Sequence, residues 1–315
     1  MKSKASAPGK IILFGEHFVV FGIKAILCAI DKRITVTAEK TFDNKITIES
    51  NIGNLVADPK TPINKIDSHL RPFYFLADMI IRKQEEKSGL KITVDSEIPL
   101  GVGLGSSSAC CVAGAAAISG IFEKKSKEEI LQMAIEAEKT IFPNTSGADC
   151  TVCLYGGLIQ YDKKNGYSRI DSEPNFELVI ANSKIEHSTK EVVSNVKQFK
   201  EKNEERFSKM CTQENELIED VLVCLKNNDL KCIGRNLIKN QKYLEIIGVS
   251  NEKLRNMIEI ATKYSFGAKI TGAGGGGCIF ALTDENNREK TIHQLKENEY
   301  DCFSVKIDFR GLDTF

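Results

Sequence analysis

The chain has 315 residues, 43 of them basic and 43 acidic, for a formal net charge near zero. That balance excludes a nucleic-acid backbone or an anionic membrane surface as the main partner, because no basic block supplies the attraction either one needs. The length allows one large domain or two ordinary ones, no apolar run approaches the roughly 18 residues of a membrane span, and ten irregularly spaced cysteines without a secretory leader point to a reducing, cytoplasmic setting.

In chain order the first hundred residues predict mostly strands: "IILF" at 11–14, "AILCAI" at 25–30, alternating "ITVTAE" at 34–39, "KITIES" at 45–50 and "KITVDS" at 91–96. One helix interrupts them, "FYFLADMIIRKQEEKSG", with apolar residues at helical spacing, charges in its last turns and Gly89 at the stop position. The small apolar residues from Ala109 to Phe122 are too few for a bilayer and predict a buried helix. The next helix, "SKEEILQMAIEAEKTIF", opens with Ser126 and Glu129 in capping-box register. Residues 162–175 are polar with Gly and Pro, which places a domain boundary there and divides the chain into 1–172 and 173–315. Beyond it come a strand "FELVIANS", helices from Ser188 to about residue 264, strands "GAKIT" and "CIFALT", a helix over 285–297 and a last strand "CFSVKIDF". This is a split βαβ, ferredoxin-like order with extra helices in its first crossover, and the fold class is α+β.

Three glycine-bearing stretches carry the chemistry. In "GVGLGSSSACCVAGAAA" (101–117), Gly101, Gly103 and Gly105 lie between a strand and a helix start at Ser106 or Ser107. A helix start offers unpaired amides and a partial positive charge, and glycines let the main chain approach an anion closely. Alone, the stretch suits a flexible turn into a buried helix as well as a phosphate site, and it is neither a Walker loop nor a dinucleotide fingerprint. In "APGKIILFGEHFVVFG" (7–22), Lys10, Glu16 and His17 cluster around a short strand. In "KITGAGGGGCIFAL" (269–282), five glycines fall within six residues between two strands, too dense for an ordinary hairpin.

In this order and spacing the three stretches resemble the motifs of the GHMP kinase superfamily, small-molecule kinases that use ATP without a Walker loop. The resemblance covers nearly the whole chain. Within the superfamily, "APGKIILFGEH", "GLGSSSA", "EKTIFPNTSGADC", "NSKIEHSTKEVV" and "NQKYLEIIGVS" are similar to the mevalonate kinases. Galactokinases continue Gly-Glu-His with Thr-Asp, where this chain has Phe18 and Val19, and homoserine kinases lack the Gly-Glu-His. The resemblance implies a two-domain fold, an N-terminal ribosomal-protein-S5-like α/β domain and a C-terminal ferredoxin-like domain. It implies transfer of the γ-phosphoryl group of ATP to the primary hydroxyl of mevalonate with Mg²⁺. The partner is then a small molecule, and a homodimer is compatible with it.

Site residues follow from the same resemblance. The loop from Pro99 to Ser107, with Gly101, Gly103, Leu104, Gly105 and Ser106, would wrap the ATP phosphates; Gly272 and Gly274 would close over them; Lys10 would reach them; and Asn51 and Ser96 resemble nucleotide contacts. Ser107 and Glu138 match the protein contacts to Mg²⁺, an ion that takes few protein oxygens. Asp149 matches the catalytic aspartate with Lys10 beside it, a pairing in which the cation favours the carboxylate form and can neutralise charge on the moving phosphoryl group. Glu16, His17 and Thr189 match positions at the acceptor end. Two departures touch the acceptor pocket: "NTSG" stands where Asn-Pro-Ser-Gly is usual, and Phe21 replaces a second histidine.

Rival readings are a sister kinase acting on phosphomevalonate or another alcohol, and a nucleotide-binding homologue without activity. A second phosphate would call for more cations than Lys10, Lys184 and Lys190, and an inactive homologue typically loses the metal or base residues that are all present here. "CTVC" (150–153) has Cys-x-x-Cys spacing but lacks a second ligand pair or a redox context, and packing cysteines are expected.

Overall fold

Charged residues in the middle of the first sheet's longest strand do not end it, because a bulge absorbs them. The computed structural model describes residues 1–315 apart from Ser68, 85–87, 100–101 and His187. Strand β1 (Lys2–Phe14) pairs antiparallel with β2 (Ala25–Thr41), which joins the two segments "AILCAI" and "ITVTAE" into one strand. Pro8 has no N–H for the ladder, and the register shifts between Pro8 and Gly9, so that Asp31 and Lys32 lie outside the pairing.

The chain continues through β3 (Ile46–Ser50) and β4 (Gly53–Ala57), a hairpin whose second strand the sequence pattern did not signal, to α1 (Arg71–Ile81) and β5 (Gly89–Ser96). Helix α1 is shorter than its sequence pattern suggests. Next come α2 (Ser106–Ser119), α3 (Lys127–Lys139), α4 (Ala148–Tyr155), β6 (Leu158–Asp162) and β7 (Gly166–Arg169). Ser126 and Glu129 form the expected capping box on α3. Among the described residues the sheet runs β4-β3-β5-β2-β1 with β6 on the other half of β2 and β7 beyond it. Helix α2 packs on β1 and β2 and is buried on every face after its first turn, which explains its small residues: a Cβ at Gly114 would stand 3.1 Å from the Phe73 ring of α1.

After β7 the chain leaves this sheet for β8 (Glu177–Asn182), then α5 (Thr189–Lys202), α6 (Glu204–Lys226), α7 (Leu230–Ile246), α8 (Glu252–Thr262), β9 (Gly267–Ile270), β10 (Cys278–Thr283), α9 (Arg288–Glu297) and β11 (Asp301–Lys306). These strands form a second antiparallel sheet in the order β11-β8-β10-β9, the ferredoxin-like arrangement with α5 to α8 in the first crossover. A last short strand, β12 (Asp313–Thr314), returns to pair with β1. Arg33 anchors that return, with its guanidinium bound to Asp308 and donating to the carbonyls of Ser6 at 2.8 Å and Gly311 at 2.6 Å. Cys224 on α6 and Cys232 on α7 form a disulfide, and the other eight cysteines are free. Among the described residues no helix is long and apolar enough to cross a membrane.

Candidate active site

Helix α2 begins with its amides open. Its N-cap is Gly105, in the left-handed region at φ 76°, and no side chain caps the first turn, which leaves the amides near Ser106 and Ser107 for an outside acceptor. The preceding loop is held on β1, where the Lys10 amide donates to the Leu104 carbonyl at 2.9 Å. A Cβ at Gly105 would stand 2.5 Å from Lys10 Cγ, so glycine is required by both conformation and space. Gly103 has open space where a Cβ would be, Pro99 is exposed, and Gly101 lies outside the described residues.

Lys10 crosses beneath this loop to Asp149, in the first turn of α4, with Nζ 3.0 Å from the carboxylate. The lysine side chain is 6% exposed and the aspartate 35%, so the pair is dry on one side and open on the other. Burial works to lower the Lys10 ammonium, and the charge and hydrogen bond of Asp149 outweigh it; Lys10 stands above its ordinary value and is charged at neutral pH. On the neighbouring α3, Glu138 is buried, with one oxygen bound by the Ser108 hydroxyl and the other accepting from Thr145 Oγ1 at 2.5 Å. Burial, and then the Asp149 charge, raise its carboxyl above the usual range.

The turn after β1 faces the other sheet. Glu16, 2% exposed, is ion-paired with Lys269 of β9, which is fully buried and also donates to the Ile270 carbonyl at 2.8 Å. Burial pushes Glu16 up and Lys269 down, each opposed by the other's charge. His17 sits at φ 63°, a conformation rare outside glycine, and its Nε2 lies 2.7 Å from the Ala273 carbonyl. Burial lowers this imidazole, so it is neutral with the proton on Nε2, donating to the carbonyl. Thr271 adds a hydrogen bond to the Ile12 carbonyl at 3.3 Å. The start of the third glycine stretch, from Lys269 to Ala273, is thereby tied to β1 and the turn that follows it, while the amides of Gly275 and Gly277 donate to the carbonyls of Val249 and Ile185. Its own shape needs Gly274, at φ 74°, where a Cβ would meet the Val249 carbonyl at 2.4 Å; around Gly272 there is open space.

The structure places the remaining candidates apart from this centre or at its edge. Asn51 is exposed on a cleft of about 530 Å³ bordered by Glu49, Ser50, Asn54 and Thr93. The Ser96 hydroxyl is used by its own loop, donating to the Ile98 carbonyl at 3.0 Å and accepting from the Ile98 amide at 3.2 Å. Thr189 is exposed at the first position of α5, next to the N-cap Ser188. Cys150 and Cys153 are fully buried and their thiols are pushed up, as suits packing.

Residues 73–157 match the GHMP kinases N terminal domain and residues 221–301 the GHMP kinases C terminal. The mevalonate kinase of Thermococcus onnurineus is 36% identical, covering 92% of this chain and 91% of its own. This chain belongs to the mevalonate kinase family of the GHMP kinases. The mevalonate kinase of Pyrococcus furiosus is 35% identical over the same share of each chain. Among solved structures, the Methanococcus jannaschii mevalonate kinase superposes with a TM-score of 0.85 at 27% identity, covering 97% of this chain and 98% of that one. The L. major mevalonate kinase in complex with R-mevalonate gives 0.84 at 25% identity, covering 97% and 96%.

For a mevalonate kinase family member, the sequence reading left out three residues on which this site is built. Ser108, one position beyond Ser107, is the serine in contact with Glu138; Thr145, within "NTSGAD", holds the other oxygen of that carboxylate; and Lys269, the first residue of the third glycine stretch, holds Glu16. All three stand inside or next to quoted motifs, so position was a signal, but their partners lie up to 253 residues away. The oxygens at Glu138, its own carboxylate and the Ser108 and Thr145 hydroxyls, are hard ligands that fit Mg²⁺, and the Cys150 thiol beside them is pushed up by burial and so stays protonated rather than offering a thiolate to a softer metal. A dication there would also relieve the burial that holds Glu138 up.

Proposed function

We propose that this chain moves the γ-phosphoryl group of ATP to the primary hydroxyl of mevalonate. The observation that carries the reading is the Lys10–Asp149 ion pair, 3.0 Å long, set beside the open amides of α2. In this mechanism the amides from Gly103 to Ser107, with those at Gly101, Gly272 and Gly274, hold the phosphates, and Lys10 adds a fixed charge where negative charge shifts during transfer. Asp149 orients the acceptor hydroxyl and takes its proton. A loose transition state asks for alignment more than for a strong base, and a carboxylate at the rim, half in water, suits that task.

Ser107 and Glu138 are the proposed protein contacts for Mg²⁺, with Ser108 holding Glu138; bound there, the ion would neutralise phosphate charge. Asn51, with its cleft, and Ser96 are proposed for the nucleoside end. Glu16 and His17 are committed to the opposite sheet, so we assign them to shaping the acceptor end from behind, and Thr189 to its rim. Phosphomevalonate is the second reading, and Lys184, one cation it would use, is already paired with Asp301 at 2.6 Å. The eight free cysteines favour a reducing, cytoplasmic setting, against the single Cys224–Cys232 disulfide, and a homodimer would be read by sedimentation. The test is an ADP-release assay of the purified protein with ATP, Mg²⁺ and either mevalonate or phosphomevalonate. Turnover with mevalonate alone is expected; turnover only with another alcohol would overturn the acceptor, and turnover with none would overturn the reading.

A further inference from the structure

The seam between the two sheets holds a second carboxyl that no glycine motif contains. Glu214, in the middle of α6, is fully buried. One of its oxygens accepts from Asn240 Nδ2 of α7 at 2.6 Å, and the Gly15 amide lies close enough to act on its carboxyl. The Glu16 carboxylate and the Lys269 ammonium act on it as well, so α6 and α7 reach across to the turn that carries Gly15, Glu16 and His17. The next residue of α7, Gln241, accepts the Ile270 amide at 3.1 Å, which extends the same grip to the strand leading into the third glycine stretch.

Charge and hydrogen bonds in this cluster do not balance if every group is in its ordinary state. Two buried carboxylates would face one buried ammonium. Among the described residues, Glu16 Oε2, Glu214 Oε2 and Asn240 Oδ1 are buried acceptors that no protein donor meets in hydrogen-bond geometry, the Gly15 amide acting on the Glu214 carboxyl without closing a bond. Buried acceptors without a protein partner are costly, and three in one seam call for an explanation. A single proton on Glu214 removes one negative charge and converts one orphan acceptor into a donor.

We propose that Glu214 is the positioning residue of the interdomain seam, holding the Gly15–His17 turn in register with the third glycine stretch through a proton retained in the cluster of Glu214, Glu16 and Lys269. Burial and the Glu16 charge agree with this, raising Glu214 to about 7 against the opposing effects of Asn240, Lys269 and the Gly15 amide. The other titratable groups nearby are Cys211, whose thiol burial pushes up, Lys10, which acts on Glu16, and His17, which burial and then the Lys269 charge lower. The consequence is directional. A carboxyl raised in the folded state stabilises the fold fully below its unfolded value near 4.5 and loses that contribution as pH rises through about 7. Above pH 7 the turn and the glycine stretch loosen together.

Glu214→Gln keeps the neutral shape and the bond to Asn240 but cannot ionise. The experiment compares wild type and E214Q by thermal unfolding and by calorimetric binding of ADP from pH 5.5 to 8.5. The proposal rests on the nucleotide-site reading only for the binding arm. Unfolding does not depend on that reading or on which alcohol is phosphorylated, so failure here and failure of the proposed function are separable. Because the unfolded carboxyl ionises from about 4.5, wild type is expected to lose Tm relative to E214Q progressively from pH 5.5 to about 7 and then to level off, by roughly 3 °C in all. ADP affinity follows ionisation in the folded protein, so the two proteins agree below pH 6 and wild type falls about threefold or more behind above pH 7. A difference that stays constant with pH would overturn the proposal and leave Glu214 a packing residue. If E214Q does not fold, the infrared carboxylic-acid band of Glu214 is read instead in the wild type labelled at glutamate, over the same pH range. Its persistence to pH 6 with loss by pH 8.5 supports the proposal, and its absence at pH 6 overturns it.

Discussion

Replacing Asp149 by asparagine separates the chemistry of the site from its electrostatics. The substitution keeps the shape of the side chain and removes its charge, leaving the Lys10 ammonium, on a side chain 6% exposed, without the carboxylate at 3.0 Å. Breaking a fully buried ion pair costs about 3–5 kcal/mol. Here the aspartate side chain is 35% exposed and water can take its place on that side, which reduces the figure to about 2 kcal/mol. For a chain of 315 residues that is a fall in Tm of about 3 °C. Burial is the largest influence on Lys10, so with its chief opponent gone the lysine is also expected to titrate lower. The kinetic effect is larger. Loss of a positioned proton acceptor removes roughly 10²- to 10⁴-fold of kcat, while nucleotide affinity, which the proposed site assigns to main-chain amides, changes by less than about threefold. Single-turnover ADP release, calorimetric nucleotide binding and a circular-dichroism melt measure the three quantities. A D149N enzyme with kcat within tenfold of wild type would refute the role of the aspartate, and an unchanged Tm would refute the dependence of Lys10 on it.

Lys269→Met leaves Glu16 as an uncompensated buried charge and is expected to cost about 3–5 kcal/mol in urea unfolding, whereas the double variant with Glu16→Gln recovers most of the loss; costs that simply add would show that the pair is not coupled. Gly105→Ala combines a left-handed conformation with a Cβ 2.5 Å from Lys10 Cγ, and a loss of about 2 kcal/mol with at least tenfold weaker nucleotide binding is expected; wild-type affinity would remove the loop from the phosphate site. Ser126→Ala deletes one half of the capping box on α3 far from the chemistry, so about 1 kcal/mol of stability is lost with kcat unchanged, and altered kcat would mean that α3 transmits more than the position of Glu138.

Much of the fold was legible because its signals are local. The capping box at Ser126 and Glu129 is a three-residue relation, and the C-terminal β, α, β, β, α, β order follows from hydrophobic period and turn residues, without reference to distant partners. The reading was weaker where the signal depended on pairing. Two apparent strands proved to be one, because the bulge opposite Pro8 lets Asp31 and Lys32 step out of a ladder that the pattern alone would have ended. The pairing of β12 with β1 joins residues more than 300 positions apart, and two residues are too short for any periodicity.

The candidate site divides along the same line. By itself the sequence determined the family, the three glycine-bearing stretches and the presence of Lys10, Glu138 and Asp149, since residue type and spacing along the chain are all that those statements need. Only the tertiary structure decided that Glu16 and His17 turn toward the opposite sheet, that Ser108 is the serine on Glu138, and that Glu214 completes the seam. Those facts depend on which groups are buried together, and burial sets both the cost of an unpartnered charge and the partner that relieves it, neither of which is written in the spacing of residues along a chain.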